Sequence, residues 1–420
     1  MKPTDIISDR WHAAAVYAAA LCLLVAPFRG ATGLRAGLLV LAVVFIAIVA
    51  QRQRDWSWTI PVPRYIGYAT GAWALALLGA ALWASDRWHQ VGMWKGEVLT
   101  PLLALFVFYA LTKNLADARR WLLALLMGLI GLTAMVTLNL FDPVDAVTMP
   151  AFGGIGPYST WLITLSPLLP LAWNLGSPGQ RIARSLTILA VVLILISAFL
   201  TTNRAIWICF ALMLVVFAWL LFMLAAQDRR KLGKLAVLVI AGGALFAALF
   251  FAATELRFKG KPPGDGGTIE MVTHDNRGVI WREAIALIAE KPFTGYGVGR
   301  DVLEKTMRAR FTEPLDKALF IQGHNIVLNQ FLQIGVLGAV LILSVFFSLI
   351  HAFAGMLRGT VVMRIAGLCG LLLVTGVFAR NMVDDFFIRQ NAILFWAIVG
   401  MLLGLGSPRN EPQVSKNIKH

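Results

Sequence analysis

The chain has 420 residues, of which 59% are hydrophobic and 14% charged, and its mean hydropathy is +0.75. A water-soluble globular chain carries roughly 25% charged and roughly 45–50% apolar residues, so a soluble domain is excluded and lipid is the solvent. The formal net charge of +15 does not point to nucleic acid, because the basic residues sit in short clusters between apolar runs, which is how a membrane protein sets its orientation.

Crossing the roughly 30 Å hydrocarbon layer takes about 20 mostly apolar residues. Runs of this kind predict spans at 11–28, 36–50, 65–84, 97–112, 120–140, 159–176, 185–202, 205–226, 235–254, 325–353, 361–379 and 390–406. The first begins near Trp11 and reads as a retained helix rather than a cleaved leader. Pro167 and Pro170 interrupt the 159–176 span, which then needs buried neighbours to satisfy the backbone groups they free. Cys22, Cys209 and Cys369 each lie inside an apolar run, as small packing residues, so no structural disulfide is expected. The expected architecture is an all-α polytopic membrane protein of about twelve transmembrane helices. Nine spans occupy 1–254, a large loop 255–323, three spans 324–406, and a tail 407–420.

Placing the N-terminus in the cytoplasm puts nineteen Lys and Arg residues in cytoplasmic segments and seven in short outer loops: Arg29, Arg35, Arg87, Lys95, Arg204, Arg380 and Arg389. The other eleven lie in the long loop, which the positive-inside rule does not count. Both termini are therefore expected inside and the long loop outside.

That loop is the one extended polar stretch and the natural place for chemistry. Within it, residues 277–290 predict an amphipathic helix with Ile280, Ala284, Leu287 and Ile288 on one face. Asp275 or Asn276 is placed to cap its start, and Pro292 follows its end. Gly295, Gly297 and Gly299 then make a tight irregular turn, a second short helix is predicted from about Asp301 to Arg310, and residues 259–268 read as mobile.

Of six histidines, His12, His351, His420 and His89 read as interfacial polar residues and His274 as a cap or surface residue. His324 stands where the long loop re-enters the membrane. A neutral imidazole there accepts a proton near pH 7, or else anchors a helix end. Arg204, in the polar break TTNRAIW, is either functional or snorkelling to headgroups. Arg277, in the first turn of the loop helix, suits phosphate oxygens or is a solvated surface arginine. Arg282 and Arg300 are weaker candidates of the same type. Asp384 and Asp385 adjoin Asn381, Arg380 and Arg389, while Asp142 and Asp145 lie in another outer loop. Neither pair has a histidine at ligand spacing, and adjacent Asp residues on a helix point to different faces. They read as orienting the arginines or the base, and no metal site is expected. GYGVGR follows a helix and a proline rather than a strand, so it is no nucleotide loop.

Three motifs in order resemble the O-antigen ligase and polymerase superfamily: Arg204 ahead of the eighth span; Arg277, Trp281, Pro292, Gly295, Gly297 and Gly299 in the loop; and His324 with Asn325, then Gly335-x-x-Gly338. The resemblance covers residues 200–340 directly and the twelve-span layout throughout. It implies a GT-C-like glycosyltransferase in the bacterial inner membrane with its active site on the periplasmic face. The implied donor is a glycan on undecaprenyl pyrophosphate, and the implied acceptor is lipid A–core oligosaccharide. Arg204 and Arg277 would bind the pyrophosphate and His324 would act as base, with no metal or cofactor required. Asn325, Trp281, Arg282, Arg300, Asp384 and Asp385 would help bind substrate. An O-antigen polymerase or a protein O-oligosaccharyltransferase fits the same motifs. A transporter fits less well, because it would place ionisable residues at the middle of its spans.

Overall fold

The computed structural model describes residues 3–56, 63–139, 154–174, 180–201, 203–225, 229–258, 277–310 and 323–407. These form helices, with no strand among the described residues. They are α1 (Pro3–Val25), α2 (Thr32–Gln53), α3 (Arg64–Trp83), α4 (Arg87–Leu111), α5 (Leu115–Asn139), α6 (Ile155–Leu165), α7 (Leu169–Asn174), α8 (Gln180–Leu200), α9 (Arg204–Ala225), α10 (Arg229–Phe258), α11 (Arg277–Glu290), α12 (Arg300–Arg310), α13 (Ile326–Met356), α14 (Val361–Val383) and α15 (Arg389–Leu405).

Among the described residues nine helices are long and apolar enough to cross a membrane, and two shorter apolar helices, Arg10–Val25 and Arg389–Leu405, accompany them. Large apolar side chains such as Tyr68, Ile208, Trp219 and Ile240 lie exposed on these helices. A water-soluble monomer does not tolerate so much exposed apolar surface, so this is a multi-pass membrane protein. The expected 159–176 span is realised as α6, a 3-10 turn over Ser166–Leu168, and α7, broken where Pro167 and Pro170 stand. Asp142, Asp145, residues 259–268, His274, Asp275, Asn276 and His420 lie outside the described residues.

The centre of the bundle is α15, which packs along α4 and also meets α14 and α6. α13 lies against α14 and α3. Three cysteines sit buried in this core as free thiols. Arg35, assigned above to an outer loop, is a buried α2 residue whose guanidinium donates to Ala26 O at 2.6 Å and Phe28 O at 3.0 Å. It satisfies carbonyls left over where α1 ends.

Two irregularities shape one end of the bundle. α4 carries a π-turn at Lys95–Leu99, a distortion frequent at functional sites. α13, expected as one continuous span, breaks at Ile334 and Gly335, the latter at φ 70°, ψ −159°. A break inside a membrane helix frees backbone groups that lipid cannot satisfy. Here the glycine-rich turn after α11 satisfies them. Tyr296 N donates to Leu332 O at 2.7 Å, Gly297 N to Gln333 O at 3.1 Å, and Val336 N to Pro292 O at 2.8 Å. On the other side of the turn, Val298 N donates to Gln90 Oε1 of α4 at 2.8 Å.

The spaced glycines are thus an assembly device. A Cβ on Gly295 would strike Gln333 backbone, and one on Gly335 would strike Phe293 and Pro292 backbone. Ile280, Ala284 and Leu287 of α11 join Leu303 and Met307 of α12 and Leu332 of α13 in a separate small core. Replacing Gly335 with alanine should cost roughly 1–3 kcal/mol in backbone strain alone, read as a lower melting temperature in detergent. Gly355→Ala, where a methyl meets open space, should leave it unchanged.

Candidate active site

The polar ends of α6, α9, α13, α14 and α15 converge. Asn325 caps α13 by accepting from Val327 N and Leu328 N, and its Nδ2 donates to Met382 O at 3.0 Å. This ties the start of α13 to the end of α14. His324, one residue before the cap, has φ 47°, a left-handed conformation rare outside glycine. Its Nδ1 donates to Asp384 Oδ1 at 2.7 Å, and the two side chains are only 13% and 15% exposed. With Nδ1 as donor, the lone pair of the neutral ring resides on Nε2, the arrangement a general base needs.

Asp384 is held from behind by Arg380, a fully buried arginine on α14 whose Nη2 lies 3.5 Å from Asp384 Oδ2 and 3.5 Å from Ser159 Oγ of α6. Asn203 Nδ2 donates to the same Ser159 oxygen at 2.8 Å, which brings the start of α9, and therefore the backbone of Arg204, to this cluster. Burial alone would raise the Asp384 pKa. The hydrogen bond from His324 and the charges of Arg380, His324 and Arg277 bring it below the ordinary carboxylate value instead.

Asp385 turns the other way. It accepts from Asn329 Nδ2 at 2.6 Å and from Phe387 N at 3.0 Å, and its burial pushes its pKa up. The two acids do point apart, though not for the reason of helical phase. Both lie past the end of α14, Asp384 itself in extended backbone at φ −168°.

Among the sequence candidates, the structure brings together His324, Asn325, Asp384 and Asp385, with Arg277 within electrostatic reach of Asp384 and Arg300 within reach of both acids. It does not bring Trp281, which packs with the small core of α11, α12 and α13, or Arg282, which lies exposed on α11. His89 pairs with Asp301 at the start of α12. Sequence reasoning did not single out Ser159, Asn203, Asn329 or Glu97, and it treated Arg380 only as a neighbour of the acids. A buried arginine and asparagines in apolar spans are expensive without partners, and that cost was the available signal. Among the described residues no three His, Cys, Asp or Glu side chains come close enough to hold a metal ion.

No curated protein matches the chain. Residues 189–343 match the family described as O-antigen ligase (Wzy_C), a segment that contains Arg204, Arg277, His324 and Gly335-x-x-Gly338. Through that segment, which carries His324 of the buried histidine–carboxylate pair, the chain is similar to the O-antigen ligase family.

Proposed function

We propose that this protein is an O-antigen ligase of the bacterial inner membrane that transfers a glycan from undecaprenyl pyrophosphate to lipid A–core oligosaccharide. In this reading the chain crosses the membrane twelve times, with both termini cytoplasmic and the site on the periplasmic face. The observation that carries the reading is the His324–Asp384 pair, backed by Arg380. Asp384 orients the imidazole and stabilises the imidazolium that forms. His324 Nε2 takes the proton from an acceptor hydroxyl as that oxygen attacks the anomeric carbon.

The bond from the anomeric carbon to the pyrophosphate oxygen breaks as the new glycosidic bond forms, and undecaprenyl pyrophosphate leaves. Arg204 and Arg277 bind its phosphates and stabilise the charge that grows there. Preorganised charges in a water-poor site supply the largest share of catalysis in many enzymes. A single displacement inverts the anomeric configuration. Nuclear magnetic resonance of the new linkage tests this, since a retained configuration would contradict a single displacement. Arg277→Lys should lower kcat/KM by roughly tenfold to a hundredfold, because a point charge cannot replace the bidentate fork. Unchanged kinetics would return Arg277 to a surface role.

A further inference from the structure

A second charged cluster lies beside the base and has no part in the chemistry just described. Glu97 comes from the π-turn of α4, Arg300 from the start of α12, Asp385 from the α14–α15 connection, and Arg389 from the first turn of α15. Glu97 and Arg300 each lie within electrostatic reach of the other three groups. Their positions are fixed. Glu97 faces the Arg300 backbone at the start of α12. Gly299 N donates to Gln333 Oε1 at 3.3 Å, and the His89–Asp301 pair holds the first turn of α12 to α4. Asp385 is buried and anchored on Asn329. The Arg300 guanidinium stands 6.0 Å from the centroid of the Phe386 ring, which Arg380 approaches at 5.1 Å. Phe386 thus packs beside both Arg300 and Arg380, and Gly156 makes room for its ring, since a Cβ there would strike it. Arg389 is exposed, and Glu97 and Arg300 are half-buried.

The charged partners differ between the two clusters. Around Asp384, Arg380, Arg277 and His324 face one carboxylate, a surplus of cations suited to a pyrophosphate. The second cluster instead sets Arg300 and Arg389 beside Glu97 and Asp385, so that acids and guanidiniums stand next to one another. Carboxylates that accept and guanidiniums that donate in fixed planar geometry match the vicinal hydroxyls of an uncharged sugar.

The geometry points to Glu97, Arg300 and Arg389 as the subsite for the acceptor sugar, with Asp385 holding Arg300 in place. This inference rests on the transferase reading above, in which His324 deprotonates a hydroxyl of that sugar. It predicts a split in the kinetics of the reconstituted full-length protein. With lipid A–core varied at saturating donor, Glu97→Gln should raise the acceptor KM by about tenfold to a hundredfold. With the donor varied, its KM should stay within about twofold. Arg389→Lys, a change at an exposed position that keeps the charge, should show the same split without endangering the fold. A raised donor KM with an unchanged acceptor KM would assign the cluster to the pyrophosphate, and unchanged values for both would leave it without a binding role. Either result overturns the inference. Wild-type protein that forms no transfer product at all would instead sink the ligase reading, and this subsite with it.

Discussion

Replacing His324 with alanine should lower transfer by about 10²–10⁴-fold, the usual worth of a positioned general base. The fold should survive. Asn325 still caps α13 and still bonds Met382 O, and Asp384 keeps Arg380 as its counter-charge. Elution as a monodisperse species in detergent, beside wild type, separates lost chemistry from lost structure. A near-normal rate would remove His324 as the base.

Asp384→Asn should be nearly as severe, roughly 10²–10⁴-fold, since an amide neither fixes the same tautomer nor stabilises the imidazolium. The direction of the Asp384 pKa makes a further statement. Its folded value lies below the ordinary one, so the stabilisation it brings is whole above that ordinary value and is lost as pH falls through the folded value. The carboxylate is therefore charged throughout the neutral range, and raising the pH should not rescue the variant. The melting-temperature gap between wild type and Asp384→Asn should be widest near neutrality and narrow below about pH 4. A gap that widens in acid would mean the carboxylate is not held ionised by its partners.

The helices were legible because hydropathy and period are local. The loop helix predicted over 277–290 is Arg277–Glu290, with Ile280, Ala284 and Leu287 buried as the spacing required. The break in α13 was not legible as a break, since Ile334 and Gly335 sit in an unbroken apolar run. Only its partner, the turn at 292–299, makes the interruption tolerable, and that pairing joins separate stretches of chain. The site shows the same division. His324 and the acids stand out by position, whereas the links that build the site run between distant segments. Arg380 reaches Ser159 across 221 residues, and Asn329 reaches Asp385 across 56. Asn329, Gln330 and Gln333 did carry a local hint, being polar side chains in an apolar span whose partners had to exist somewhere. Glu97 offered less, because a π-turn has no signature in hydropathy.

Reconstituted transfer tests the ligase assignment. Purified protein would receive undecaprenyl-pyrophosphate-linked glycan and lipid A–core, with and without EDTA. The expected product is lipid A–core carrying the glycan, formed equally in both conditions because the arginines bear the pyrophosphate charge. A product that only lengthens the undecaprenyl-linked chain would contradict the ligase assignment and make the protein a polymerase. Activity abolished by EDTA would contradict the arginine-only mechanism.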